Sequence, residues 1–262
     1  MRAWLAILSA RLRTLLQYRA AAIAGFMTQL FWGVLRMLVF IAFFESTTAP
    51  QPMNLDQVIA YIWLGQAFLL LSMLNIDGEL QRMIHQGDVA YEMLRPVNLY
   101  GLWFARMLAG RIAPIMLRAG PLLLIATLAG WLHWPTGGRL LGWMACIVAA
   151  ALLSSAISCL MTISMFWTLS GLGISRLISA AAWMLSGLVV PLPFFPDSWQ
   201  PVLNVLPFRG LGDVPYRLFS GDLPAEQAPA LLAHQLAWTV GLMLLGSWLL
   251  GRAQRRLVVQ GG

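Results

Sequence analysis

Lysine is absent from this chain of 262 residues, and Asp and Glu together number only 10. A Walker A loop uses a lysine to reach the nucleotide phosphates, so no ATPase site of that type is encoded here. Charged residues make up 10% of the chain, against about 25% in an ordinary soluble domain. A water-soluble chain of this size has to cover its surface with polar groups, and this one has too few to do so. The catalytic constellations are missing as well. There is no HExxH, and Ser170–Gly171 and Ser186–Gly187 lack the glycine two places upstream that an intramembrane serine protease shows. His85, His133 and His234 have no metal-ligand spacing. No Asp or Glu sits deep in an apolar run, which excludes the acidic relay of a proton-coupled pump. The two cysteines, Cys146 and Cys159, fall in one apolar run expected to be a single helix. There they lie about 20 Å apart along the axis, too far to bridge, and read as small buried hydrophobes.

What the chain has is apolar length, 60% of it hydrophobic. The pattern predicts an all-α integral membrane protein, one transmembrane domain over 1–262 with six spans at 20–44, 57–76, 107–131, 140–167, 173–190 and 230–250. Residues 1–19 place Trp4, Leu5, Leu8, Leu12, Leu15 and Leu16 on one helical arc and Arg2, Ser9 and Arg13 on the other. That suits an interfacial helix or, equally, a plain anchor before the first span. Its arginines run past a normal signal-peptide n-region, so cleavage is not expected. The third span is expected to bend if Pro114 and Pro121 lie inside it. Ser154, Ser155 and Ser158 in the fourth would permit close helix packing.

All 17 basic residues are arginines, and their positions orient the chain. One side holds Arg2, Arg11, Arg13, Arg19, Arg82, Arg95, Arg106, Arg111, Arg176, Arg252, Arg255 and Arg256; the other holds Arg139, Arg209 and Arg217. The positive-inside rule makes the first side cytoplasmic, with both termini on it. Arginines gathered at the ends of apolar runs, rather than along one soluble face, exclude a nucleic-acid role despite the net charge of +7. Arg36 and Arg118 fall within spans, where they either face a substrate path or serve as packing and headgroup anchors.

Two connections stand out. Residues 77–106 mix Asp77, Glu79, Arg82, Asp88, Glu92 and Arg95, with a break at Gly87 and a stop before Pro96. This suits two short helices forming a cytoplasmic knob that docks on a partner, against the plainer reading of a solvated hairpin. Residues 193–229 are far longer than a helix-to-helix loop and rich in aromatics, Pro and Gly. Trp199, Val202, Leu203 and Leu206 sit at helical spacing, and Phe194, Phe195 and Phe208 suit an interfacial belt. The segment either dips back into the outer leaflet or lies on it as an interfacial helix.

With no visible energy source, the chain needs something else to drive it, and its wording points to a family. GDVAYEMLRPV resembles the cytoplasmic stretch after the second span of bacterial ABC-2 type permeases. SGLVVPLPFFPDSWQPVLNVLPF resembles the same family's signature around the fifth span. The resemblance runs over the whole chain and implies a type V exporter-like fold in a bacterial cytoplasmic membrane. It implies a permease subunit that pairs with a second permease, identical or related, and with two copies of a separate ATPase that holds ATP and Mg. Membrane lipid surrounds the assembly. Glu79, Arg82, Gly87, Asp88, Glu92, Arg95 and Pro96 would form the ATPase-coupling region. Pro191, Pro193, Phe194, Phe195, Trp199 and Phe208 would belong to the re-entrant outer gate. The competing reading is a self-contained carrier or channel.

Overall fold

The computed structural model describes residue 9 and residues 19–93, 98–168 and 172–254. The expected interfacial helix over 1–19 therefore lies outside the described residues, apart from Ser9 and Arg19, as do Arg95 and Pro96. Every regular element among the described residues is helical. In chain order these are α1 (Arg19–Ser46), α2 (Leu55–Ala67), α3 (Leu69–Ser72), α4 (Gly78–Gln86), α5 (Val89–Met93) and α6 (Leu99–Leu128). There follow α7 (Gly137–Ser164), α8 (Leu172–Leu185), α9 (Gln200–Val205), α10 (Asp213–Ser220) and α11 (Ala228–Gln254). Four short 3-10 helices stud the connection from α8 to α11.

The starts are written locally. Asn54 caps α2 in a capping box, its side chain accepting from Gln57 N at 2.8 Å while the Gln57 side chain accepts from Asn54 N at 2.9 Å. Asn98 caps α6 by accepting from Gly101 N at 2.7 Å. Helix α6 carries both Pro114 and Pro121 without interruption.

Among the described residues four segments are long and apolar enough to cross a membrane: Ile23–Ser46, Leu99–Leu128, Gly137–Ser164 and Ala225–Gln254. The stretches expected as the second and fifth spans are helical but shorter. The second breaks at Phe68 (φ −107°, ψ 22°) and unwinds after Ser72; the fifth is the 14-residue α8. Helix α7 is the hub, packed by α6, α10 and α11, and Ser154, Ser155 and Ser158 on it are fully buried. Lipid is as apolar as leucine, so close packing through small residues, rather than hydrophobic burial, holds such helices together. At one contact Gly246 of α11 lies so close to Tyr100 that an added Cβ would stand 2.7 Å from the ring. Cys146 and Cys159 are buried free thiols.

The outward faces stay apolar. Ile23, Phe31 and Trp32 on α1, Leu128 on α6, Leu141 on α7, Leu177 on α8 and Leu244 on α11 are all exposed. Bands of this kind on several long helices are stable only against hydrocarbon, and the chain is a multi-pass membrane protein.

Candidate functional site

Residues 193–229 fold against the bundle rather than hanging from it. Helix α10 packs on α2 and α7, and its first residue, Asp213, is 1% exposed. A buried carboxylate is costly unless its oxygens are filled. Here Oδ1 accepts from the Tyr61 hydroxyl at 3.2 Å and from Leu192 N at 3.3 Å, and Oδ2 from Arg217 Nη1 at 3.4 Å. Asp213 N donates in turn to Ser186 O at 2.9 Å. Burial pushes the Asp213 carboxyl above the ordinary carboxylate range, while Arg217 and Arg209 pull it back. Burial would lower Arg217, but Asp213 and Asp222 more than offset it and hold the guanidinium above its ordinary value. The Arg217 Nε to Asp222 Oδ2 distance is 2.5 Å. Tyr61 also meets Tyr216 edge-to-face, ring centres 5.2 Å apart. Gly187 makes the junction possible, with φ +80° and no side chain where a Cβ would stand 2.0 Å from the Tyr61 oxygen.

The expected outer-gate residues divide around this lock. Pro191 is buried and Pro193 half-buried at the turn leading out of α8. Phe194 packs edge-to-face on Phe40 and Phe43 of α1, at 6.0 and 6.4 Å. Phe208 packs on the cluster formed by Leu74, Leu153 and Leu211. Phe195 leans on Trp199 at 6.5 Å, and Trp199 itself is exposed. Arg36 joins this group from α1, donating from Nη2 to the Val189 carbonyl at 2.7 Å. That contact ties α1 to the chain just before Pro191.

The knob has the architecture that Gly87 announced. Asp77 caps α4, accepting from Glu79 N and Leu80 N at 3.0 Å each, and Gly87 ends it with φ +80° before α5 begins. Leu80 and Val89 are buried against α6 and α7, while Arg82 and Asp88 face outward. Glu92 does not. It is 4% exposed, accepts from Trp103 Nε1 at 2.8 Å and lies 3.8 Å from Arg106 Nη1. Arg106 also pairs with the exposed Glu79 at 3.6 Å. Glu92 therefore clamps the knob to the base of α6, and its side chain is not presented to a partner.

One residue with a role was misplaced by charge counting. Arg111 groups with the basic residues of one face when the third span is read as starting at 107, yet α6 begins at Leu99, and Arg111 is 5% exposed inside the bundle. Its Nη1 donates to the Met73 carbonyl at 2.9 Å and to Asn75 Oδ1 at 2.8 Å, and its Nη2 to the Ser158 hydroxyl. It thereby holds the stretch that unwinds after α3. Arg118, two turns on, lies over Gly25 of α1 and shares with Arg106 and Arg111 the wall of a cavity of about 350 Å³. The spacing of Arg111 and Arg118, seven residues apart on one helical face, was the available signal. For Asp213 the signal was Arg217 one turn later. Among the described residues no group of His, Cys, Asp and Glu is placed to hold a metal ion.

A family model described as "ABC-2 family transporter protein" matches residues 30–261. No curated protein and no solved structure matches the chain.

Proposed function

The chain belongs to the ABC-2 family of transporter proteins, and from that premise we propose that it is the permease subunit of an ATP-driven exporter in a bacterial cytoplasmic membrane. Two copies of a separate ATPase, carrying ATP and Mg, bind its inner face, and a second permease, identical or related, completes the path. The polypeptide crosses six times with both termini inside, α2–α3 and α8 supplying the two short crossings. Residues 193–229 are the re-entrant outer gate.

The observation that carries this reading is the clamp on the knob. A solvated hairpin has no use for a buried glutamate, whereas a lever needs a rigid joint. Glu92, held by Trp103 and Arg106, makes the outward face of α4 and α5 move with α6. Arg82 and Asp88 on that face meet the ATPase, and Arg95 and Pro96, outside the described residues, belong to the same coupling region; Glu79, Gly87 and Glu92 shape the joint. Helix α6 passes the displacement through Arg111 to residues 73–75 and to Ser158 of α7. Tyr61 on α2 carries it to Asp213 and the gate, whose aromatic lining is Phe194, Phe195, Trp199 and Phe208, with Pro191 and Pro193 as its stiff entry. Packed interfaces of this kind switch between discrete arrangements. Arg36 anchors the gate, and Arg118 faces the path.

The test is reconstitution of the chain with its co-purifying ATPase. Charge reversal at Asp88 and Arg95 is expected to leave the complex folded and hydrolysing ATP while transport falls at least tenfold. Normal transport by that double variant removes the coupling assignment. Uphill movement of a solute by the chain alone removes the exporter reading altogether.

A further inference from the structure

Beside the cavity along α6, two of the three guanidiniums on the wall make no direct ion pair among the described residues. Its wall carries Arg106, Arg111 and Arg118, with Asp77, Leu70 and Met107 among its other residues. Arg106 is paired with Glu79 and Glu92, and Asp77 spends its Oδ1 on the cap of α4. Arg111 and Arg118 have no ion pair among the described residues. Arg111 is 5% exposed, its two terminal nitrogens go to neutral oxygens, and its Nε has no hydrogen-bond partner. A guanidinium at this depth of a membrane protein is expensive without a counter-charge. Two of them on one cavity wall, neither in direct contact with a carboxylate among the described residues, leave a place for an anion from outside the chain. The apolar surface beside them, Leu70 and Met107, suits a short run of methylenes. A volume of about 350 Å³ is at the lower end of the range of small-molecule sites, about 300–1,000 Å³.

From this geometry we infer that the cavity binds the phosphate or carboxylate head of an amphiphile, with Arg111 and Arg118 as its ligands. The inference rests on the exporter reading only in making the occupant cargo or a lipid on the cargo's path; the site itself follows from the residues. The anion sits against the Arg118 guanidinium beside the Arg111 side chain, and its chain lies along Leu70 and Met107. Cationic and neutral amphiphiles of the same length have no partner there.

The experiment uses the full chain in a neutral maltoside detergent and two water-soluble probes of equal length, octyl phosphate and octyltrimethylammonium. Octyl phosphate is expected to raise the unfolding temperature with saturation, and octyltrimethylammonium is not. Arg118→Gln, at a half-buried position, is expected to weaken octyl phosphate binding at least tenfold. Arg111→Gln is expected to do the same and Arg111→Lys to retain part of it, so a folding failure of one variant leaves the other two to decide. Native mass spectrometry after passage through equimolar phosphatidylglycerol and phosphatidylcholine vesicles separates the sources. Retention of phosphatidylglycerol that is lost in Arg118→Gln marks a resident lipid; octyl phosphate binding without retained lipid marks a mobile anion. Equal shifts from the two probes, or unchanged octyl phosphate binding by Arg118→Gln, overturns the site. Failure of the ATPase to co-purify would remove the exporter reading and leave these binding results standing.

Discussion

The Tyr61 hydroxyl donates to the Asp213 carboxylate at 3.2 Å, joining residues 152 apart in the chain. The pair fixes α10 to α2 in a region where neither helix gains much from excluding lipid, so the polar contact decides the geometry. Tyr61→Phe leaves Asp213 with Leu192 N and Arg217 and is expected to cost about 1–2 kcal/mol. Gly187→Ala is expected to cost more, because it adds a strained φ to a clash with the same oxygen. Thermal unfolding of the two variants in detergent checks the order; a Tyr61→Phe protein as stable as the wild type would show the contact to be idle.

Arg36 serves as an anchor through a single charge-assisted bond to the Val189 carbonyl. Arg36→Met keeps the aliphatic stem and removes the donor, with an expected cost of about 1.5–3 kcal/mol. Arg36→Lys is expected to recover part of that. Hydrogen exchange at residues 187–195 is the readout. Exchange there should rise in Arg36→Met, and an unchanged pattern would return Arg36 to the substrate path.

The clamp on the knob is testable without any transport assay. Glu92→Ala strips the Trp103 indole of its buried acceptor and Arg106 of one carboxylate, at about 1–3 kcal/mol. The expected signature is local: faster exchange over residues 78–93 with residues 187–229 unaffected. Asp88→Ala, an exposed neighbour, is expected to change neither.

Gln235 makes the tightest polar crosslink of the last helix. Its Nε2 donates to Cys146 O at 3.0 Å and Gly210 O at 2.7 Å, so one fully buried side chain joins α11 to α7 and to the turn at Gly210. Gln235→Leu leaves both carbonyls without this donor and is expected to lower stability by about 2 kcal/mol. Gln235→Glu is expected to be worse still, since it buries a carboxylate against two carbonyl oxygens. Melting temperatures of the two variants give the ranking.

The long helices were legible because apolar length is a one-dimensional signal, and the knob because Asp77 and Gly87 are local punctuation. The break after Ser72 was not. No proline marks it; the carbonyls of Met73 and Leu74 leave the helical ladder for Arg111 and for the Ser179 hydroxyl, 38 and 105 residues away. Glu92 looked like a surface charge for the same reason, its partner Trp103 lying in the next helix. The sequence does not choose between the two readings of Arg36 because its acceptor is a backbone atom, which carries no sequence identity at all. Local chemistry is written beside the residue it serves, and long-range pairing is not.

As the fifth crossing proposed above, the described helix α8, at 14 residues, is about 21 Å long, while a typical hydrocarbon slab is about 30 Å thick. A segment that short is comfortable only where the surrounding lipid dips to meet it or where neighbouring helices shield its end. Acyl-chain length thereby becomes a control on the protein: bilayers of shorter chains should favour the arrangement seen here, and thick, sterol-like ones should strain it. Membrane composition would then tune turnover with no ligand involved.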